Sequence, residues 1–398
     1  MLDQLAGAKN SMNYTRGAQT GDGGRGAFVR SAMNRQYELE LRTLPSHAGD
    51  MRFGLPENLP VLLPPQISDG QPATGLDRAQ KASPSLLPVG CKVADAFRLT
   101  LVQCRWHVAA NAAVFVESRE PEAIHQLRVG LRRLRVALTS FGGEFRTPQF
   151  EGVRLRAKDL AQQLAPARDL DVFVSELLEP VAGANGSQDA FSVLRRRAQE
   201  ARCRAFDDAF AAMAGPRLRM FMRETSDIAD GRGWTFPPYQ QTALNEVHAY
   251  QRPAQSVAER ILAHRYKKAC KGARHLEKLS TAERHALRIE LKKLRYAAEF
   301  FVPLFDAAQT KKFLGRLSRM QDVLGAVNDV AVAKSILGKL VSSPGHDGLS
   351  SDSELSFAAG LVYGWHLDRA AHKWREAVSR WKKFARTRVF WDGAASRP

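Results

Sequence analysis

His125-Gln126-Leu127-Arg128-Val129-Gly130-Leu131-Arg132-Arg133-Leu134-Arg135 and His285-Ala286-Leu287-Arg288-Ile289-Glu290-Leu291-Lys292-Lys293-Leu294-Arg295 are two versions of one segment, displaced by 160 residues. At about 100° per residue, His125, Arg128, Arg132 and Arg135 fall within an arc of roughly 80° on a helix, with Arg133 flanking it. Leu127, Leu131, Leu134, Leu138 and Phe141 occupy a broadly opposed arc. The segment therefore reads as a helix with an apolar side that docks and a cationic side that carries one histidine. The second copy repeats this with His285, Arg288, Lys292, Lys293 and Arg295, backed by Leu287, Leu291, Leu294 and Phe301. Pro121 marks a first-turn position, Ser280-Thr281-Ala282-Glu283 has the capping-box pattern, and Gly142-Gly143 closes the first helix.

The same displacement continues without a gap. It pairs Phe145 with Phe305, Leu164 with Leu324, Asp169 with Asp329 and Val172 with Val332, and upstream it sets Arg105-Trp106 on Arg265-Tyr266. Two copies are too few for a solenoid, so the expected architecture is all-α: two helical bundles related by internal pseudo-twofold symmetry.

Further out, amphipathic helices are predicted over 93–117, 121–141, 151–165, 169–180, 188–229 (broken near Gly215-Pro216), 254–271, 281–302, 309–324, 328–341 and 354–386. Loops are expected at Gly231–Pro238 and Ser342–Ser353. Residues 1–88 differ: Gly17, Gly21, Gly23, Gly24 and Gly26, then Pro56, Pro60, Pro64, Pro65 and Pro72, break periodicity. That stretch reads as an irregular N-terminal segment with one strand-like run, Tyr37–Leu41. A helical domain follows over 89–390, its halves about 89–235 and 236–390.

The 59 Lys and Arg against 41 Asp and Glu leave a net charge of +18, a field that attracts polyanions: nucleic acid, anionic membrane or phosphate polymers. Cys91, Cys104, Cys203 and Cys270 form no metal-binding spacing and suit a reducing compartment, so neither a metal nor a cofactor is expected. The start lacks the pattern of a signal peptide, and no apolar run is long enough to span a bilayer. A cytoplasmic protein is expected.

A basic helix face is ordinarily just solvated. Five cationic-or-His positions kept in register in two copies are harder to explain that way, because like charges at i,i+4 destabilise a helix unless an anion compensates. Arg offers planar forks to phosphate oxygens, and Lys a compact charge.

The two basic segments, together with Leu164–Asp171 and Gln321-Asp322-x-Leu324-Gly325-x-x-Asn328-Asp329, resemble the paired motifs of the CHAD family (conserved histidine α-helical domain). The resemblance spans roughly residues 90–385. It implies basic helices facing a central cavity, non-enzymatic binding of inorganic polyphosphate, and an association with polyphosphate granules. The implied binding residues are His125, Arg128, Arg132, Arg133, Arg135, His285, Arg288, Lys292, Lys293 and Arg295. Histidines titrating near neutrality should make binding stronger at pH 6 than at pH 8. Glu38-Leu39-Glu40-Leu41-Arg42 is similar to one strand of a CYTH domain, which implies a truncated remnant of such a domain in the N-terminal segment.

Weaker signals remain. Arg105, His107, Arg265 and Lys268, on the helices preceding the two basic ones, are candidates to extend the track. Asp169, Asp171 and Asp329 read as capping groups or Arg partners rather than metal ligands. Trp365, Trp374 and Trp381 interleave with basic residues on the last helix, a pattern shared by nucleic-acid binders and packed cores, and core packing is the better reading. A nucleic-acid-binding helical protein is the competing function, with nucleic acid otherwise a non-specific competitor. A phosphohydrolase would need a carboxylate–metal cluster or a phosphate-cradling Gly loop, and the sequence has neither pattern.

Overall fold

The computed structural model of the chain describes residues 78–144, 148–184, 188–231, 251–342 and 348–392. The strand-like run at Tyr37–Leu41, the CYTH-like remnant and most of the loop at Gly231–Pro238 lie outside these residues. Within them the fold is all-α, with no strand and one isolated antiparallel bridge, Lys92 to Pro253. In chain order the helices are α1 (Val93–Ser118), α2 (Pro121–Phe141), α3 (Pro148–Gln163), α4 (Ala165–Val172), α5 (Glu179–Ala184), α6 (Gln188–Ala214), α7 (Pro216–Ala229), α8 (Ala254–Gly272), α9 (Thr281–Phe301), α10 (Ala307–Ser342) and α11 (Gly348–Ala385). A π-helical stretch, Phe173–Leu178, joins α4 to α5.

The repeat is visible in the element bounds. α2 and α9, both 21 residues long, begin and end at equivalent positions. Pro121 opens α2, and Ser280 and Glu283 form the reciprocal capping box of α9. Gly142 follows α2 in right-handed geometry (φ −63°), so that helix ends without the left-handed cap glycine commonly supplies. The helix expected over 188–229 breaks at Gly215-Pro216.

Two helices were expected over 309–324 and 328–341, and one continuous helix, α10, is found. Gly325 costs an interior helix only about 1 kcal/mol. A buried stripe through Leu317, Met320, Val323, Leu324, Val330, Ala333 and Leu337 outweighs that and carries the helix across. In the first half, Pro166 removes a backbone donor near the equivalent point, and α3 and α4 are separate. The loop expected at Ser342–Ser353 is shorter than predicted, since α11 starts at Gly348.

Both halves belong to one compact unit within 52–398 and share their core. α2 packs on α1 and α3, and α9 packs on the corresponding α8 and α10; α2 and α9 also touch each other. Leu127, Leu131, Leu134, Leu138 and Phe141 are buried as their arc requires, as are Leu287, Leu291, Leu294 and Phe301. Equivalent residues meet across the halves: the Phe141 and Phe301 rings lie 5.6 Å apart. Val93 N–H donates to Arg252 O (3.0 Å), and Ala254 N–H donates to Cys91 O (2.9 Å). Glu144, at the end of α2, pairs with Arg252 and Arg260 from the second half.

Residues 78–92, mostly assigned to the irregular N-terminal segment, form an extended strap fixed to the bundle. Ala79 N–H donates to Glu120 (2.7 Å), Gln80 N–H to Asn111 (2.9 Å) and Ser85 Oγ to Phe300 O (2.6 Å), while Leu87 is buried. Trp374 is buried beneath Arg284 and Trp381 packs on Phe384, whereas Trp365 is exposed.

Close approach of α1 and α2 depends on Gly130, where an added Cβ would lie 2.9 Å from Val108 Cγ2 and 3.3 Å from His107 Nδ1. Gly130→Ala should destabilise by about 1–3 kcal/mol through overpacking. Gly325→Ala, with nothing within 4 Å, should be neutral or stabilise by about 0.5–1 kcal/mol. Denaturant melts of both variants test this, and equal behaviour of the two would contradict the packing assignment.

Candidate functional site

The cationic faces of α2 and α9 converge. Arg132 is the shared neighbour: its charge bears on His125, Arg128, Arg135 and Asp169 of its own half and on Arg288 and Lys292 of the other. Arg128 and Arg288 likewise act on each other. Among the described residues Arg132 has no hydrogen-bond acceptor. The Nε–H groups of Arg135 and Arg288 are buried and also lack one. Buried donors are normally satisfied, so these two are positioned for an acceptor from outside the chain.

Each half brings a carboxylate to its first arginine. Arg128 donates to Ala161 O (3.1 Å) and approaches Asp169 at 3.9 Å. The equivalent Asp329 draws on Arg288 and Lys292. Burial raises the carboxyl pKa of both Asp169 and Asp329, with the arginines opposing. Arg168, from the start of α4, adds a further cation; it is held by Asp171 (2.9 Å) and lies 3.7 Å from Glu176 in the π-helical stretch. Asp171 is shared with Arg202 (2.7 Å).

Concentrated charge leaves its mark on proton affinity. Burial first, then the repulsion of Arg132, Arg288 and Arg128, pushes the Lys292 ammonium down to about 6, against the pull of Asp329. Burial also lowers the pKa of Arg128, Arg288 and Arg135. His125 is lowered by burial and then by Arg168. His285 is exposed and bonds Asn328 Oδ1 through Nδ1 (2.7 Å).

Several expected track residues lie elsewhere. Arg133 is buried between α2 and α9, paired with Glu299 and stacked over Phe300 (5.1 Å). Lys293 pairs with Glu290 (2.6 Å) on its own helix. Arg295 donates to Glu299 (2.7 Å) and Gln321 (3.3 Å). Arg105 donates to Met222 O (3.2 Å). Arg265 is buried and donates to Thr139 (3.0 Å). Burial, then the Arg133 charge, lowers His107 to about 4; it is neutral and bonds Gln80 O (3.0 Å) of the strap. Lys268 is exposed on α8. The structure thus gathers His125, Arg128, Arg132, Arg288 and Lys292, while Arg133, Lys293, Arg295, Arg105, Arg265 and His107 are turned to internal partners.

Among the described residues no group of three His, Cys, Asp or Glu could hold a metal ion, and no helix is long and apolar enough to cross a membrane.

The CHAD-domain family model matches residues 100–338, which include both basic helices and both second motifs. The chain belongs to the CHAD family. A crystal structure of the CHAD domain from the plant Ricinus communis aligns with a TM-score of 0.64 at 24% identity, covering 79% of this chain and 98% of that one. PptA from Streptomyces chartreusis aligns with a TM-score of 0.54 at 17% identity, covering 73% of this chain and 100% of that one. At these identities the likeness is one of fold. Comparison with curated proteins finds no match. The CHAD match begins at residue 100, so it lends no support to a CYTH remnant.

In this CHAD domain the two motifs of each half meet at one place. His125 faces Arg168 where His285 faces Asn328, and Asp169 and Asp329 occupy equivalent positions beside Arg128 and Arg288. Arg168 was missing from the residues expected to bind. The available signal was its adjacency to Asp169 in the second motif.

The Lys292 shift has a stability consequence. Its pKa in the folded protein, about 6, lies below the ordinary lysine value of 10.5, so between those values the unfolded chain binds more protons. Charging Lys292 therefore costs the fold most at low pH, and the cost fades as pH rises through this window. Lys292→Met should raise the melting temperature over the parent chain at pH 6, with a gain that shrinks toward pH 9. A gain independent of pH would contradict the burial and repulsion assigned to Lys292.

Proposed function

We propose that this CHAD domain binds inorganic polyphosphate, without turning it over, along the seam where α2 and α9 meet. One observation carries the reading: Arg128 and Arg132 from one copy of the repeat and Arg288 and Lys292 from the other share a single, partly buried electrostatic field. The family is linked to polyphosphate binding, which favours this polymer over other polyanions.

Polyphosphate has roughly one charge per unit and no bases, so it is recognised by density of charge and donors. Arg132 and the free Nε–H groups of Arg135 and Arg288 supply donors that the protein itself leaves unused. Hydrogen bonds to charged groups contribute about 1.5–3 kcal/mol each, more than the 0–1 kcal/mol of an exposed pair. Arg128 is held by Ala161 O, and Asp169 and Asp329 attract Arg128 and Arg288, which limits the rotamer freedom lost when the polymer arrives. We also propose that the halves are related by a pseudo-twofold axis passing near Phe141 and Phe301, which would present equivalent donors to a chain running through either way. Docking on polyphosphate granules would use the same chemistry on a polymer surface.

Binding of labelled polyphosphates of graded length at several salt concentrations tests this. Affinity should fall steeply with salt, and Arg132→Gln with Arg288→Gln should reduce the slope of log K against log salt by about one per contact removed. Long-chain polyphosphate should displace labelled nucleic acid far more efficiently than the reverse. An unchanged slope in the folded variant would remove the seam from binding, and equal displacement both ways would favour the nucleic-acid reading.

A further inference from the structure

We infer that a cavity of about 410 Å³ between α10 and α11 is a second anion site, one that takes a free short oligophosphate such as pyrophosphate or tripolyphosphate. It is lined by Arg316, Arg319, Glu376, Ser379, Arg380 and Lys383. On α11 the contributing positions are spaced i, i+3, i+4 and i+7, and on α10 they are i and i+3, so each helix turns one face inward. Four cations and a hydroxyl oppose a single carboxylate.

That carboxylate is already committed. Glu376 accepts from Arg380 (2.7 Å) and Lys373 (3.0 Å), contacts that hold its carboxyl below the ordinary range. Arg316 is fixed by donating to Lys383 O (3.1 Å) and Thr387 Oγ1 (2.7 Å), which leaves further guanidinium donors unspent. Arg319 and Lys383 are exposed, and among the described residues their side chains have no protein acceptor. The volume lies within the roughly 300–1,000 Å³ typical of small-ligand pockets. No aromatic side chain lines it, so it offers no platform for stacking bases.

Comparison with the other half sharpens the case. By the same displacement Arg156 and Asp159 stand where Arg316 and Arg319 stand in the second half. There Arg156 pairs with Glu224 (2.5 Å), and Asp159 lies 3.7 Å from Arg217. The first half neutralises this place internally. In the second half an arginine, Arg319, replaces the aspartate, adding positive charge where the first half has negative. A basic surface generic to the fold would have kept the same balance in both copies.

The cavity is separate from the α2–α9 seam. On α10, Gln321 and Asn328, which face α9, lie roughly opposite Arg319 around the helix axis. The proposal therefore stands whether or not polyphosphate binds the seam.

Calorimetric titration of tripolyphosphate into the full chain at low salt tests it in the Arg132→Gln/Arg288→Gln background, where seam binding is weakened. One tripolyphosphate per chain should still bind. Adding Arg319→Gln and Lys383→Gln, neither of which breaks an internal bond, should weaken it by about tenfold or more. Lys311→Gln with Lys312→Gln, the same loss of charge on exposed positions outside the lining, should change it little. Equal effects of the two pairs would overturn the site, as would displacement by short single-stranded DNA as readily as by pyrophosphate. Seam binding is read separately, from the background variant against the parent chain.

Discussion

Repulsion between like charges on two helices, held together by the apolar sides of those same helices, is the constraint on which this molecule turns. Leu127, Leu131 and Leu134 on α2, and Leu287, Leu291 and Leu294 on α9, are buried against neighbouring helices. Burying each such side chain contributes about 1.5–3 kcal/mol. With those sides committed inward, Arg128 and Arg132 have nowhere to go but toward Arg288 and Lys292. Burial first, and then the neighbouring arginines, depress the proton affinity of Lys292, and Asp329 offsets only part of it. On the proposed function a polyanion would relieve the rest, and stability given up in the free protein would return as binding energy.

Much of this could be read from the chain. The two apolar arcs, the repeat displacement, Pro121 and the Ser280–Glu283 box define α2 and α9, and their shared bounds follow. Periodicity could not place residues at the border between faces. Arg133 sits about 80° beyond His125 at the edge of the cationic arc, toward the apolar side, and on the real helix that border points at α9 and Glu299. Lys293 occupies the same border in the second copy and turns to Glu290. Arg105, His107 and Arg265 lie on helix faces that pack inward, and their partners come from elements distant in sequence: Met222, the strap at Gln80, and Thr139. The continuity of α10 through Gly325 was hidden for a similar reason, because the burial that carries it is tertiary.

Divergence between the copies matters as much as their likeness. Arg168 and Asn328 are equivalent, yet one places a cation beside His125 and the other a neutral amide beside His285. The π-helical stretch with Glu176 belongs to the first half, where the second has regular helix. On α10 the second half has Arg319 where the first has Asp159, which lies 3.7 Å from Arg217. A duplicated scaffold has thus kept one shared seam while its flanks specialised, which is the behaviour expected when packing fixes the core and charge is free to change at the surface.

Burial and neighbouring cations partly expel protons from Lys292 and His125 at the seam, and a bound polyanion would restore them. Calorimetry of long-chain polyphosphate binding at pH 7 in two buffers of different ionisation enthalpy measures that directly, as net protons taken up per complex. Uptake is expected in the parent chain, diminished in Lys292→Met and again when His125 is replaced by Gln. Binding with no proton uptake, or uptake untouched by these substitutions, would contradict it.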